Sequence, residues 1–135
     1  MNFVTVYNKS NPVVMTDPTV DSMYQTLEYN ATTMQIYHPL TGLCLQDQGM
    51  DENGQSNSGI YFQTCDPSSY NQQFIFTADN QIYNPNWPNN QLCLNANGNE
   101  VSVHNVQWPT LYLGDCSDTN TDEIFNILLY CPAGV

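Results

Sequence analysis

The chain repeats itself, and the repeat limits what it can fold into. Gln35-Ile36-Tyr37-His38-Pro39 recurs as Gln81-Ile82-Tyr83-Asn84-Pro85, with a weaker copy at Thr5-Val6-Tyr7-Asn8-Lys9. A short apolar segment follows each: Leu43-Cys44-Leu45, Leu92-Cys93-Leu94 and, in the first copy, Val13-Val14-Met15. Further on, Ile60-Tyr61-Phe62-Gln63-Thr64-Cys65 matches Leu111-Tyr112-Leu113-Gly114-Asp115-Cys116. Nine residues after each of those cysteines a Phe opens another apolar segment, Phe74-Ile75-Phe76 and Phe125-Asn126-Ile127. Tyr37 to Tyr83 is 46 residues. A self-similar unit of that length buries its apolar face against copies of itself rather than alone.

Each segment is short and bounded by turn residues: Asn11-Pro12, Thr41-Gly42, Asp51-Glu52-Asn53-Gly54, Asp79-Asn80 and Asn97-Gly98-Asn99. Such segments read as antiparallel strands joined by tight reversals. Composition agrees. There are 18 Asn and 11 Gln but only 10% charged residues, and nine Tyr stand among many Val, Ile and Thr. Asn belongs to turns and caps, and the aromatic and β-branched residues belong to pleated surfaces. No amphipathic run is long enough for a helix. No linker divides the chain, so 1–135 reads as one domain with units at about 1–33, 34–80 and 81–131. The first unit is degenerate. Tyr7 to Tyr37 is only 30 residues and holds no cysteine. Two alignments compete for it. Gln25-Thr26-Leu27 matches Gln72-Gln73-Phe74, or Met23-Tyr24-Gln25-Thr26-Leu27 matches Tyr61-Phe62-Gln63-Thr64-Cys65. Either way about one hairpin is missing or shortened.

The cysteines follow the repeat. Cys44 and Cys65 are 21 residues apart and Cys93 and Cys116 are 23, at matching positions. One disulfide inside each unit is the economical pairing, and free cysteines filling the core are the alternative. Cys131 is the odd one, in Tyr130-Cys131-Pro132, a faint fourth copy of the Tyr-x-Pro signature. It reads either as an intermolecular bridge to a neighbouring subunit or as a buried thiol. Two sequons, Asn8-Lys9-Ser10 and Asn30-Ala31-Thr32, make Asn8 and Asn30 candidate glycosylation sites. Paired cysteines and sequons together point to a secreted or cell-surface protein. The segment Met1–Tyr7 has neither the basic start nor the apolar run of a signal peptide, so either a leader has been removed or the protein is not exported by that route.

Charge excludes several functions. The chain has one Lys, no Arg and a net charge of −12. Nucleic acid and anionic membrane are therefore not expected partners. No stretch approaches the ~18 apolar residues of a membrane span. Catalysis is not expected either. His38 and His104 are the only histidines, and His38 reads as a turn residue because Asn8 and Asn84 stand at its position. The adjacent acids Asp51-Glu52 and Asp122-Glu123 would point to opposite faces of a strand, which separates them as an acid–base pair. The clusters Asp115, Asp118, Asp122, Glu123 and Asp47, Asp51, Glu52 read as solvated surface, with no metal or other cofactor implied.

Three units of about four strands, with Cys-Leu-polar near the start and Gln-x-Phe near the end, resemble the ricin B-chain type (R-type) lectin domain. Asn71-Gln72-Gln73-Phe74 fits that family's Gln-x-Trp or Gln-x-Phe motif with its usual preceding Asn. The third unit has Asp122-Glu123-Ile124-Phe125 and the first at best Gln25-Thr26-Leu27. The resemblance covers nearly the whole chain. It implies an all-β β-trefoil of three pseudo-repeats, the first shortened. It also implies a non-catalytic carbohydrate-binding module whose partners are glycans or glycoproteins. The implied core includes Phe74, Phe76, Phe125, Ile127, Leu27, Leu43, Leu45, Leu92, Leu94, Ile36, Ile82, Tyr61 and Tyr112.

A sugar site needs a ring to stack on the apolar sugar face and a carboxylate or amide to take hydroxyls. In the family these are an Asp two residues after the first cysteine, a ring two residues before the second, and the Asn of the motif. In the second unit these positions are Gln46, Gln63 and Asn71, with Gln72 beside the last. Only Asn71 matches. Asp47 is one residue late and substitutes if the loop shifts, and Tyr70 is the nearest ring. In the third unit the positions are Asn95, Gly114 and Asp122, and none matches. Trp87 and Trp108 stand in Asn/Pro-rich loops, and Trp87 lies in an insertion unique to the third unit, where it stacks on a ligand or caps the barrel. The family resemblance and the acidic charge favour neutral galactose or N-acetylgalactosamine-type glycans. The rival is a structural or protein-interaction trefoil in an extracellular assembly.

Overall fold

The computed structural model describes residues 3–5, 13–16, 25–48, 60–77, 81–86, 92–96 and 100–116. Within them run β1 Phe3–Thr5, β2 Val14–Thr16, β3 Glu28–Asn30, β4 Gln35–His38, β5 Leu43–Asp47 and β6 Ile60–Thr64. β7 Ile75–Phe76, β8 Ile82–Tyr83, β9 Leu92–Asn95, β10 Val101–Val103, β11 Val106–Trp108 and β12 Tyr112–Asp115 follow. Among the described residues a 3₁₀ turn spans Tyr70–Gln72. All pairings are antiparallel, in sheets ordered β1-β2, β3-β4-β5-β6, β7-β8-β9-β12 (written from the other edge) and β10-β11.

The registers display the repeat residue by residue. In β5–β6, Leu45 faces Phe62 and Cys44 faces Gln63; in β9–β12, Leu94 faces Leu113 and Cys93 faces Gly114. Tyr37 faces Cys44 just as Tyr83 faces Cys93. Across the unit boundaries Tyr29 faces Ile36 and Phe76 faces Ile82. Leu27 therefore stands where Phe74 stands, which selects Gln25-Thr26-Leu27 over the competing alignment. The protein is an all-β trefoil with a degenerate first unit, as the resemblance implies.

One expectation is corrected in that first unit. Val4 faces Met15, the register of Leu45 with Phe62. The Val13 N–H donates to the Ile60 carbonyl at 3.3 Å, and the Leu111 N–H donates to the Val13 carbonyl at 2.9 Å. Val13, Ile60 and Leu111 thus meet as equivalents about one axis, and all three are buried. Val13-Val14-Met15 is the counterpart of Ile60-Tyr61-Phe62, not of Leu43-Cys44-Leu45. Phe3–Thr5 takes the place of the cysteine strand. No described strand of the first unit matches β4 and β8. Thr5-Val6-Tyr7-Asn8-Lys9 lies outside the described residues except for Thr5, and Tyr130-Cys131-Pro132 lies outside them entirely.

The core is fed by strand parity. Leu45 and Leu94, Phe62 and Leu113, Ile36 and Ile82, and Phe74 are buried, with Leu27, Leu43 and Phe76 packed against them. The resemblance implies Tyr61 and Tyr112 inside, but they occupy the alternate positions and are only half-buried. The inward sites are Ile60, Phe62, Leu111 and Leu113, because a phenol hydroxyl buried there would need a partner. Phe125 and Ile127 lie outside the described residues. Phe62→Ala is expected to cost about 3–5 kcal/mol, and Tyr61→Ala about 1 kcal/mol. Urea unfolding of the two variants checks the parity.

Two turn readings change. His38 is not a surface turn residue: it closes β4 fully buried, with Nδ1 2.7 Å from Thr41 Oγ1 and its ring edge-on to Phe62. Trp108 is not in a loop but ends β11, half-buried. The β10–β11 hairpin turns on His104-Asn105, both at positive φ, the two-residue reversal whose twist matches antiparallel strands.

Candidate functional site

The second unit carries a surface pocket of about 360 Å³. Gln46 of β5, Gln63 and Thr64 of β6, Asp66 and Ser69 of the following loop, and Gln72 of the 3₁₀ turn line it. The Cys44–Cys65 disulfide, with Cα atoms 5.0 Å apart, pins the start of that loop to β5. Asp66 then closes an Asx turn. Its Oδ1 accepts from the Ser68 N–H at 3.0 Å and the Ser68 hydroxyl at 2.7 Å. The Ser69 N–H donates to the Asp66 carbonyl, and the Gln72 N–H donates to the Ser69 carbonyl. Asp-Pro-Ser, directly after the second cysteine, is the sequence signal for this turn.

Gln72 holds the walls together. Its Nε2 donates to Gln46 Oε1 at 3.0 Å and to the Thr64 carbonyl at 2.9 Å. Its Oε1 accepts from the Asp66 N–H and from Gln35 Nε2, both at 2.9 Å. A primary amide has two donors and two acceptor lone pairs, so all four are used. Gln72 is also 1% exposed. It positions the pocket and has no hydrogen-bonding capacity left for a ligand.

Among the described residues Asp66 is the one titratable side chain lining the pocket. The Ser68 hydroxyl, then the Ser68 N–H, hold its carboxyl below the usual range, so it stays ionised into mild acid. Tyr29 braces the turn from the first unit. Its hydroxyl donates to the Phe74 carbonyl at 2.6 Å, its ring stands edge-on to Phe76, and burial pushes its phenol up.

The other candidates are dispersed. Tyr70 sits on the turn 65% exposed, outside the pocket lining. Asn71 is half-buried beside it, also outside the lining. Asp47 is fully buried: it shares the inward parity of Leu45, and Asn84 Nδ2 donates to its Oδ2 at 2.8 Å. That places it in the structural network and away from solvent. Asn84 Nδ2 also donates to the Tyr70 carbonyl at 2.7 Å, and Asn86 Nδ2 donates to Gln73 Oε1 at 2.8 Å. The turn after β8 therefore clamps the 3₁₀ turn of the second unit. Trp87, Cys131 and Asn8 lie outside the described residues. Asn30 is exposed, with Oδ1 accepting from the Thr32 N–H, and its sequon sits in the β3–β4 turn. Both expected disulfides are formed, Cys44–Cys65 and Cys93–Cys116. Among the described residues no helix is long and apolar enough to cross a membrane.

The third unit differs at the counterpart positions that are described. Asn95, the counterpart of Gln46, is buried. A Cβ on Gly114, the counterpart of Gln63, would stand 2.9 Å from the Tyr112 ring. The protein's own tyrosine covers that position.

No protein-family model matches the sequence, and no curated protein matches it. Solved structures do. The mdaA-1 domain superposes with a TM-score of 0.62 at 16% identity, over 93% of this chain and 80% of that one. A chain of the cytolethal distending toxin from Actinobacillus actinomycetemcomitans gives 0.58 at 14% identity, over 91% and 78%. One from the Haemophilus ducreyi cytolethal distending toxin gives 0.55 at 13%, over 85% and 68%. At such identities the likeness speaks for fold, and the fold is the β-trefoil.

Proposed function

We propose that the chain is a non-catalytic carbohydrate-binding module, secreted or displayed at a cell surface, with its site in the second-unit pocket. The supporting observation is the pocket itself: about 360 Å³ walled by polar side chains from two strands, a loop and a turn, all fixed by one saturated amide. Hydroxyl-rich ligands need such pre-set donors and acceptors. A binding role is further supported by the lone carboxylate. Glycoside hydrolysis takes two, and among the described residues Asp66 is the one carboxylate lining the pocket. Two disulfides support an oxidising compartment. Net charge −12 favours neutral glycans over sialylated or sulfated ones.

The test is a glycan array at physiological salt, run with calcium and with chelator, beside Ser69→Trp. That variant fills the pocket while leaving the backbone bonds of Ser69 in place. Calcium-independent binding to neutral glycans, lost in Ser69→Trp with an unchanged melting temperature, is the expected result. Binding that survives the plug moves the site. No binding by the wild type overturns the proposal. It would favour a protein-interaction trefoil bridged through Cys131, a reading supported by the absence of any ring among the described residues of the pocket lining.

A further inference from the structure

The pocket has the opposite polarity from the site that the family resemblance implies. Two backbone groups decide this. The Thr64 carbonyl can only accept and the Asp66 N–H can only donate, so together they fix which end of the Gln72 amide is nitrogen. Gln72 then offers Nε2 to Gln46, and Gln46 must answer with its oxygen. What Gln46 has left is its NH₂, which hydrogen-bonds none of the described residues. A donor stands where the resemblance places a carboxylate. The acceptor is on the loop wall instead. Asp66 Oδ1 holds Ser68, and Oδ2 bonds none of the described residues.

A ligand for this pocket must bring an acceptor to Gln46 and hydroxyls to Asp66. A plain hexose offers hydroxyls to both, and a hydroxyl taken by Gln46 acts toward it as the acceptor while keeping its own O–H to donate elsewhere. An acetamido group carries a stronger acceptor, its carbonyl. A uronate or sialate also carries one, but would bring a second negative charge beside Asp66 on a chain of net charge −12. We infer that the pocket selects a neutral N-acetylated hexose, with the Gln46 amide donating to the acetamido carbonyl and Asp66 accepting from ring hydroxyls. This inference rests on the carbohydrate-binding reading above and adds the sugar class and the two roles.

Titration calorimetry with methyl glycosides of GalNAc, GlcNAc, Gal and Glc tests it. Wild type is expected to bind at least one N-acetylated sugar about tenfold or more tighter than its parent hexose. Gln46→Glu keeps an oxygen for Gln72 and exchanges the donor for an acceptor, so it is expected to erase that preference. Asp66→Asn is expected to weaken both sugar classes by about tenfold or more, since charge-assisted bonds to hydroxyls are lost. Melting temperatures of the variants separate these effects from unfolding. The ligand-side comparison needs no variant and decides even where one fails to fold. Equal binding of hexose and N-acetylhexosamine overturns this inference and leaves the carbohydrate reading standing. No binding of any neutral glycan, here or on the array, removes both.

Discussion

Opening both disulfides is expected to remove most of the chain's stability. Each closes a separate loop, 21 residues for Cys44–Cys65 and 23 for Cys93–Cys116. Loop-closure entropy in the unfolded chain makes each worth about 3 kcal/mol. The loops do not overlap in sequence, so the two contributions add to about 6 kcal/mol. That is comparable to the whole stability of a domain this size, about 5–15 kcal/mol. The strands they join are short, four or five residues each, and have little pairing of their own to fall back on. Urea unfolding is the measurement, on Cys44→Ala/Cys65→Ala, Cys93→Ala/Cys116→Ala and the quadruple variant. Either pair should lower the unfolding free energy by about 3 kcal/mol, and the quadruple variant should be largely unfolded at 37 °C. A quadruple variant within about 1 kcal/mol of wild type would show that the strands carry the fold unaided. It would also remove the disulfides' support for an oxidising compartment.

The second and third units were legible because cysteines anchor them. A cysteine that must meet another fixes both register and face, so aligning Cys44 with Cys93 aligned everything between. The first unit has no such anchor. Val13-Val14-Met15 is apolar at every position and fits either strand of a hairpin by pattern alone. Only the backbone bonds from Val13 to Ile60 and Leu111 separate the two choices. The tyrosine at 61 misleads for a related reason. Ile60, Tyr61 and Phe62 are all apolar enough for a core, and parity rather than composition sends Tyr61 outward.

At the pocket, the motif picks out Gln72, but the orientation of its amide was not legible. Which end of an amide faces a neighbour depends on backbone groups from Thr64 and Asp66, and no spacing in the sequence encodes them. Asp47 shows the same limit. One position along β5 separates a pocket-lining Gln46 from a fully buried carboxylate. The residue that makes burial tolerable, Asn84, is 37 positions away in the next unit.

Gln72→Ala is expected to destabilise the protein by about 3–5 kcal/mol, well beyond the loss of one average side chain. The change strands four partners at once: Gln35 Nε2, Gln46 Oε1, the Thr64 carbonyl and the Asp66 N–H. Gln35 is itself buried, so its amide has no water to turn to. Gln73→Ala, one residue on, loses only the bond from Asn86 and should cost about 1 kcal/mol. Gln72→Glu separates donor from acceptor loss. It keeps two acceptors for Asp66 and Gln35, and the Gln46 amide can turn its NH₂ toward it. The Thr64 carbonyl cannot turn. Only a protonated Glu can donate to it, and burial also favours the neutral acid. The carboxyl pKa in the folded variant is therefore raised above its unfolded value. Stability is greatest below the unfolded pKa and falls as pH rises through the folded one. Gln72→Glu should thus gain stability relative to wild type as the solution is acidified from neutral pH. Thermal melts of both proteins across that range check the sign. A Gln72→Glu deficit that does not shrink in acid would mean that the Thr64 bond contributes nothing, and that Gln72 braces the pocket through its acceptors alone.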